Sequence, residues 1–129
     1  MKRILIVDDS AFVAKLLGRV IESLDCRVVA IAQDGLKGIA AFQEHRPDIT
    51  LLDVTMPNMD GLECLQQIRK ADPNARVIMI SAVRTPDTVD RCLAEGAIAF
   101  LQKPIRPNNP EDIDRLKSAL ESTADAASV

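Results

Sequence analysis

The sequence has almost no aromatic residues. Trp and Tyr are absent, and three Phe supply the whole 2% aromatic content. Stacking platforms that hold single-stranded nucleic acid are therefore missing. Core packing falls to Val, Ile, Leu and Ala instead. An excess of either charge is lacking too. Sixteen Lys and Arg stand against nineteen Asp and Glu, a net charge of -3, and this excludes a direct nucleic-acid binder that works by bulk electrostatics. Cysteine is scarce. Cys26, Cys64 and Cys92 are odd in number, widely spaced and form no CxxC pair. That argues against a disulfide framework or a zinc site, fits a reducing cytoplasm, and leaves each thiol to fill a small apolar gap. Long apolar runs do not occur at the N-terminus. Met1-Lys2-Arg3 followed by Ile4 to Val7 imitates the start of a signal peptide, but Asp8 and Asp9 stop the run. It is too short for a secretory segment or for membrane insertion. No GxGxxG or GxxxxGK[ST] loop is present to cradle a nucleotide phosphate.

What remains is 129 residues, 47% hydrophobic and 27% charged. One domain is the expectation, and a chain of this size buries roughly two-thirds of its unfolded surface. Ile4 to Val7 reads as a strand buried on both faces. Ser10 can cap the helix that follows, from about Ser10 to Leu24, in which Val13, Leu16, Leu17, Val20, Ile21 and Leu24 recur at helical spacing. Gly18 is a mild cost inside it. Arg27 to Ala32 reads as a second strand. Asp34-Gly35 reads as a turn before a weaker helix that Pro47 stops. Ile49 to Asp53 is the third strand. Gly61 to Ala71 is the third helix, with Leu62, Leu65 and Ile68 facing inward. Val77 to Ile80 is the fourth strand and closes at Ser81. Pro86-Asp87 opens the fourth helix, with Val89, Cys92 and Leu93 facing inward, and Gly96 suits the position just after its end. Ala97 to Leu101 is the fifth strand. Pro110-Glu111-Asp112 opens the fifth helix, whose apolar residues are Ile113, Leu116 and Leu120. Residues 1–122 form the domain, and 123–129 form a short flexible tail.

Strands and helices that alternate in this way build right-handed βαβ units around a parallel sheet. The expected fold is α/β and doubly wound, a flavodoxin-like (βα)5 domain with strand order 2-1-3-4-5. In that order the first and third strands are neighbours, and their carboxyl ends flank the crevice where ligands bind. Four of the five strand ends in the sequence carry a charged or hydroxyl residue. Asp8 and Asp9 follow the first strand, Asp53 ends the third, Ser81 ends the fourth, and Lys103 follows the fifth. Crowded carboxylates repel unless a cation neutralises them. Oxygen-only ligands suit Mg²⁺ (or Mn²⁺), held chiefly by Asp9 and Asp53 with Asp8 close by. The backbone carbonyl of Thr55 is a further candidate ligand. Any one of these acids alone would read as a solvated cap; their placement at several strand ends is what points to a site.

Val7-Asp8-Asp9-Ser10, the stretch from Asp53 through Met56-Pro57-Asn58-Met59 to Asp60-Gly61, Ser81-Ala82 and Lys103-Pro104 together resemble the receiver domain of two-component response regulators, in particular its small CheY-like single-domain kind. The resemblance runs from Arg3 to about Leu120. It implies that Asp53 is the phosphoacceptor for a histidine kinase and that Asp8 and Asp9 bind Mg²⁺. It makes Ser81 the switch hydroxyl, Lys103 the partner of the phosphoryl oxygens, and Phe100 the aromatic switch. It also implies a phosphorylation-dependent signalling protein, not an enzyme with a substrate of its own. Such a protein alters its surface at the fourth helix, fifth strand and fifth helix to regulate a downstream partner, for instance in chemotaxis. A monomer, or a weak dimer linked to phosphorylation, is expected. Thr55 and Val83 occupy the positions that tune phosphoryl lifetime, and neither offers an acid or amide to orient a water, so slow intrinsic dephosphorylation is expected.

Four other readings compete. One is a phosphorelay shuttle to a histidine phosphotransfer protein, and another is a receiver cut from a longer DNA-binding regulator. A small aspartyl-phosphate phosphatase usually carries an acid where Thr55 stands, and a cap domain is missing. A nucleotide binder needs the phosphate loop that the sequence lacks. From periodicity alone Phe100 is core, His45 is a helix-end residue, and Met56 and Met59 pack the loop.

Overall fold

The computed structural model describes residues 1–56 and 59–122. The β-branched runs form the strands and the apolar periodicities form the helices. In chain order they are β1 (Lys2–Val7), α1 (Ala11–Ser23), β2 (Cys26–Ala32), α2 (Gly35–His45), β3 (Ile49–Asp53), α3 (Gly61–Ala71), β4 (Val77–Ser81), α4 (Pro86–Ala94), β5 (Ala99–Gln102) and α5 (Pro110–Leu120). The sheet order is β2-β1-β3-β4-β5, and every pairing is parallel. This is the doubly wound flavodoxin-like, CheY-like fold that the alternation predicts.

Successive strand residues point to opposite faces, and the core divides accordingly. Ile4 and Ile6 of β1 join Leu51, Ile78 and Ile80 under α1 and α5, against Leu17, Ile21, Leu116 and Leu120. Leu5 and Val7 join Leu52, Val77 and Met79 on the other face, under α2, α3 and α4, against Phe42, Leu65, Ile68 and Cys92. Most of these side chains are almost fully buried, each contributing about 1.5–3 kcal/mol relative to exposure. All three cysteines are free and buried.

Caps define the helix starts. Ser10, Asp34, Asp60, Thr85 and Asn109 each accept a backbone N–H of the first turn with a side-chain oxygen, satisfying one otherwise unpaired donor. Asp34-Gly35 is thus a cap and a first helical residue, not a separate turn. Gly96 has φ +100°, the left-handed conformation that ends α4.

The fifth strand begins two residues later than the sequence suggests, at Ala99. Ala97 N–H still bonds the Cys92 carbonyl and so closes the end of α4, while Ile98 N–H makes the first bond to Val77. In α4 only Cys92 is buried, and Leu93 is 46% exposed. One residue on, at about 100° per residue, it falls off the inward stripe. In α3 Leu62 is half-buried and Cys64 takes the buried place. Pro57 and Asn58, part of the stretch that carries the family resemblance, and the tail 123–129 lie outside the described residues. No helix among the described residues is long and apolar enough to cross a membrane.

Candidate functional site: an acidic cluster at the carboxyl edge of the sheet

Strand register brings the acids together. Val7 pairs with Leu52, so the next residues, Asp8 and Asp53, stand side by side at the ends of neighbouring strands. Asp8 is held in place by its own N–H on the Ala32 carbonyl at 2.9 Å. Its Oδ1 accepts the Ser10 N–H at 2.9 Å, where α1 begins. Val54 N–H bonds the Ile80 carbonyl at 3.0 Å and pins the end of β3. Asp53 Oδ1 accepts the Thr55 N–H at 3.3 Å. Asp8 and Asp53 are buried and Asp9 is exposed.

Carboxylate oxygens of Asp8, Asp9 and Asp53 all lie within 4.8 Å of one another. Lys103 reaches into this cluster. Its Nζ sits 2.8 Å from Asp8 Oδ2 and 3.4 Å from Asp53 Oδ2. One ammonium therefore faces three carboxylates, leaving a formal excess of two negative charges in a largely buried site. Burial pushes the Asp53 carboxyl up to about 6; Lys103 pulls the other way, and Asp8 adds to the rise. Burial works against the Lys103 ammonium as well, but its bonds to Asp8 and the charge of Asp53 raise its pKa on balance.

This donor set fits a hard divalent cation. All ligands are oxygens, the net charge is negative, and exposed Asp9 leaves one side open to water, as Mg²⁺ prefers. A tetrahedral zinc site would want Cys or His, and the buried cysteines are elsewhere.

Ser81 and Phe100 sit at the same edge in different ways. The Ser81 carbonyl accepts the Lys103 N–H at 2.8 Å, so β4 positions the lysine directly. The Ser81 hydroxyl accepts the Val83 N–H at 3.1 Å and is thus engaged by its own loop. Phe100 is 7% exposed and packs in the core face under α2–α4. The ring already lies inside that core face. Thr55 and Val83 are both exposed.

Two groups escaped the sequence reading. Arg84 lies over the Phe100 ring, its guanidinium carbon 5.9 Å from the centroid. Asp112 is completely buried and receives Arg106 and Arg115. An acid in a helix's first turn ordinarily reads as a solvated partner of the helix dipole. The one usable signal was Arg115 at i+3 from Asp112.

The sheet is parallel in this order, acids stand beside each other at the switch point, and a lysine just after the last strand contacts two of them, the arrangement of a doubly wound α/β domain with an acidic site at its carboxyl edge. The chain belongs to the response regulator receiver domain family, whose model matches residues 4–114. It is similar to the chemotaxis protein CheY of Listeria monocytogenes, 41% identical over 124 residues that cover 96% of this chain and 99% of that protein. CheY of Thermotoga maritima is 37% identical over 107 residues, covering 83% of this chain and 89% of its own. Among solved structures, the CheX–CheY–BeF3–Mg²⁺ complex of Borrelia burgdorferi contains a chain that superposes with a TM-score of 0.86 at 38% identity, covering 94% of this chain and 90% of that one.

Proposed function

We propose that this chain is a phosphorylation-driven switch of two-component signalling, acting in the cytoplasm on a chemotaxis-type partner. The supporting observation is the ammonium of Lys103 placed between the Asp8 and Asp53 carboxylates at the mouth of an oxygen-only cluster. An Asp53 carboxylate oxygen attacks the phosphorus of a histidine kinase's phosphohistidine. The P–O bond forms as the P–N bond breaks, and the imidazole nitrogen leaves with the electron pair. Phosphoryl transfer depends mainly on positioning and charge stabilisation. Strand register and the Thr55 N–H aim the nucleophile, and Lys103 balances charge on the transferred oxygens. Asp8, Asp9, Asp53 and the Thr55 carbonyl would hold Mg²⁺, which supplies further neutralisation of those oxygens.

The product adds charge and three acceptor oxygens beside Ser81. The Ser81 hydroxyl then exchanges its bond from the Val83 N–H for one to the phosphoryl group, and the β4–α4 loop moves with it. The consequence is a changed α4–β5–α5 surface. In this reading the protein is a signalling component and turns over no substrate of its own.

The test is labelling by acetyl phosphate, with and without Mg²⁺, in wild type and Asp53→Asn. Label that depends on both Asp53 and Mg²⁺ supports the reading. Label that survives Asp53→Asn, or no label at all, defeats it.

A further inference from the structure

The helix α4 is the one least anchored to the rest of the protein. It buries a single residue, Cys92, where each other helix buries three or four. Between α4 and the loop that follows Asp53 lies a cavity of about 300 Å³. That is the lower end of the range for small-molecule sites, so it suits a small ligand. Val54, Met56, Leu62 and Cys92 supply its apolar lining, and Asp60 and Arg91 supply its charges.

Asp60 belongs to the loop wall and Arg91 to the α4 wall. The two are opposite in sign, and neither takes part in a salt bridge among the described residues. Asp60 Oδ1 accepts the Glu63 N–H at 2.9 Å, and no described residue donates to Oδ2. Both charges nevertheless act on one sulfur between them. Burial raises the Cys92 pKa, Arg91 works against that rise, and Asp60 adds to it. An unspent acceptor, a guanidinium fork and an apolar lining match one ligand chemistry, a zwitterion with an apolar body. The fork takes a carboxylate bidentately, and the acid takes an ammonium. A free α-amino acid with an aliphatic side chain carries all three parts.

Both walls are tied to the phosphoacceptor. Thr55 lines the cavity, and its N–H bonds Asp53 Oδ1 at 3.3 Å. On the other side, α4 starts at Pro86, shortly after Val83, whose N–H holds the Ser81 hydroxyl.

We propose that this cavity binds a free aliphatic α-amino acid of leucine size and that the ligand favours the resting form of the switch. Its ammonium lies on Asp60, its carboxylate on Arg91, and its side chain on Met56, Leu62 and Cys92. The regulatory half rests on the switch reading above. In that reading the Ser81 hydroxyl leaves Val83 and the β4–α4 loop moves, and α4 follows that loop. A ligand that bridges the two walls opposes the movement, and by linkage the movement weakens the ligand.

The test follows the Met56 methyl by NMR in protein labelled with ¹³C-methyl methionine, with the exposed Met1 methyl as internal control. The probes are L-leucine, N-acetyl-L-leucine, L-leucinamide and glycine, each with resting protein and with protein activated by beryllofluoride and Mg²⁺. L-Leucine should shift Met56 saturably, with a Kd below about 10 mM, as a ligand of its size allows. Loss of one charge, in either blocked probe or in Arg91→Gln or Asp60→Asn, should weaken binding about 5-fold or more. Glycine, which has no side chain for the lining, should not bind. Affinity for L-leucine should be at least about 5-fold lower in the activated protein. Asn still caps α3, and circular dichroism confirms that both variants fold. No saturable shift up to about 50 mM overturns the proposal. So do blocked probes that bind as well as L-leucine, indifference to both substitutions, or equal affinity in the two states. Labelling of Asp53 by acetyl phosphate is measured on the same samples. Its absence defeats the switch reading; its presence without L-leucine binding defeats the cavity proposal alone.

Discussion

Gly61 lies where the chain leaves Asp53 for α3, and a methyl group there has no room. Its Cβ would stand 2.1 Å from the Asp53 carbonyl oxygen and 2.6 Å from Val54 Cα. Ordinary contact begins near 3.4 Å, so strand and helix must separate by about 1.3 Å. Neither gives easily. Gly61 N–H bonds the Val54 carbonyl at 2.7 Å, and Asp60 caps α3 through the Glu63 N–H at 2.9 Å. Overpacking of a tight site costs about 1–3 kcal/mol, and a clash with backbone belongs at the upper end. For a domain of this size, about 3 kcal/mol lowers Tm by roughly 10 °C. The same displacement moves the Asp53 carboxylate, and about 1 Å of misplacement costs on the order of 100-fold in rate. Gly61→Ala is therefore expected to lose both stability and acetyl-phosphate labelling.

Two other glycines make the reasoning refutable. At Gly38 an added methyl meets the Val7 methyls at 2.9 and 3.0 Å, a clash with side chain only, so Gly38→Ala should cost about 1–2 kcal/mol. At Gly18, inside α1, it would meet only Val28 Cγ2 at 3.7 Å. There the gain in helix propensity dominates, and Gly18→Ala should stabilise by about 0.5–1 kcal/mol. Urea unfolding followed by circular dichroism measures all three, since the chain has no Trp or Tyr for fluorescence. If Gly61→Ala unfolds within about 0.5 kcal/mol of wild type and labels at the wild-type rate, the packing account of the phosphoacceptor loop is wrong. The same holds if Gly18→Ala proves the most damaging of the three.

Mg²⁺ should raise the thermal midpoint of wild type in a concentration-dependent way, by linkage to the folded state. Asp9→Ala, which removes an exposed ligand, should abolish that response while shifting stability without the ion by less than about 0.5 kcal/mol; a full Mg²⁺ response in the variant would remove Asp9 from the site. Arg106, through side-chain and backbone bonds, holds the Asp112 carboxyl down at about 2 against an ordinary 3.8. A depressed acid stabilises only when ionised, so this contribution is complete above about 4, declines as pH falls through the window, and is gone below about 2. Asp112→Asn should be less stable than wild type at neutral pH, and the two urea midpoints should converge toward pH 2; parallel curves would refute it. Phosphorylated protein freed of kinase should lose its label slowly, because exposed Thr55 and Val83 offer a water neither acid nor amide. Rapid loss in the absence of any phosphatase would show another group orienting the water.

Much of this was legible because the signals were local. Strand runs, Ser10 and Pro110 at helix starts, and the positions of Asp8, Asp9, Asp53, Ser81 and Lys103 follow from period and punctuation. Parallel order then forces the strand ends onto one edge. The rest was not legible because it depends on distance in space. Leu93 and Cys92 are adjacent apolar residues, and only docking of α4 decides which one turns inward. Asp112 has the composition of a solvated first turn, and its carboxylate is taken up by Arg106 from the β5–α5 loop and by Arg115 one turn on. Phe100 carries no sequence sign of Arg84, sixteen residues earlier, because the two meet only when β5 has paired with β4.

The segment after β5 ties the site to the start of α5. Lys103 N–H is fastened to the Ser81 carbonyl, and Arg106 is fastened to buried Asp112. Between them Ile105 is buried against α1 and α5. The Lys103 ammonium is itself held by Asp8 at 2.8 Å and Asp53 at 3.4 Å, unlike that of a free surface lysine. Any pull on its ammonium acts on backbone that is held at both ends. The Ser81 hydroxyl, by contrast, is held only by Val83 N–H within its own loop. Charge added at Asp53 thus meets one rigid responder and one loose one. In the switch reading proposed above, the rigid responder, Lys103, balances charge on the phosphoryl oxygens. In that reading the loose one is the group that frees the β4–α4 loop, while Arg106 stays bonded to Asp112.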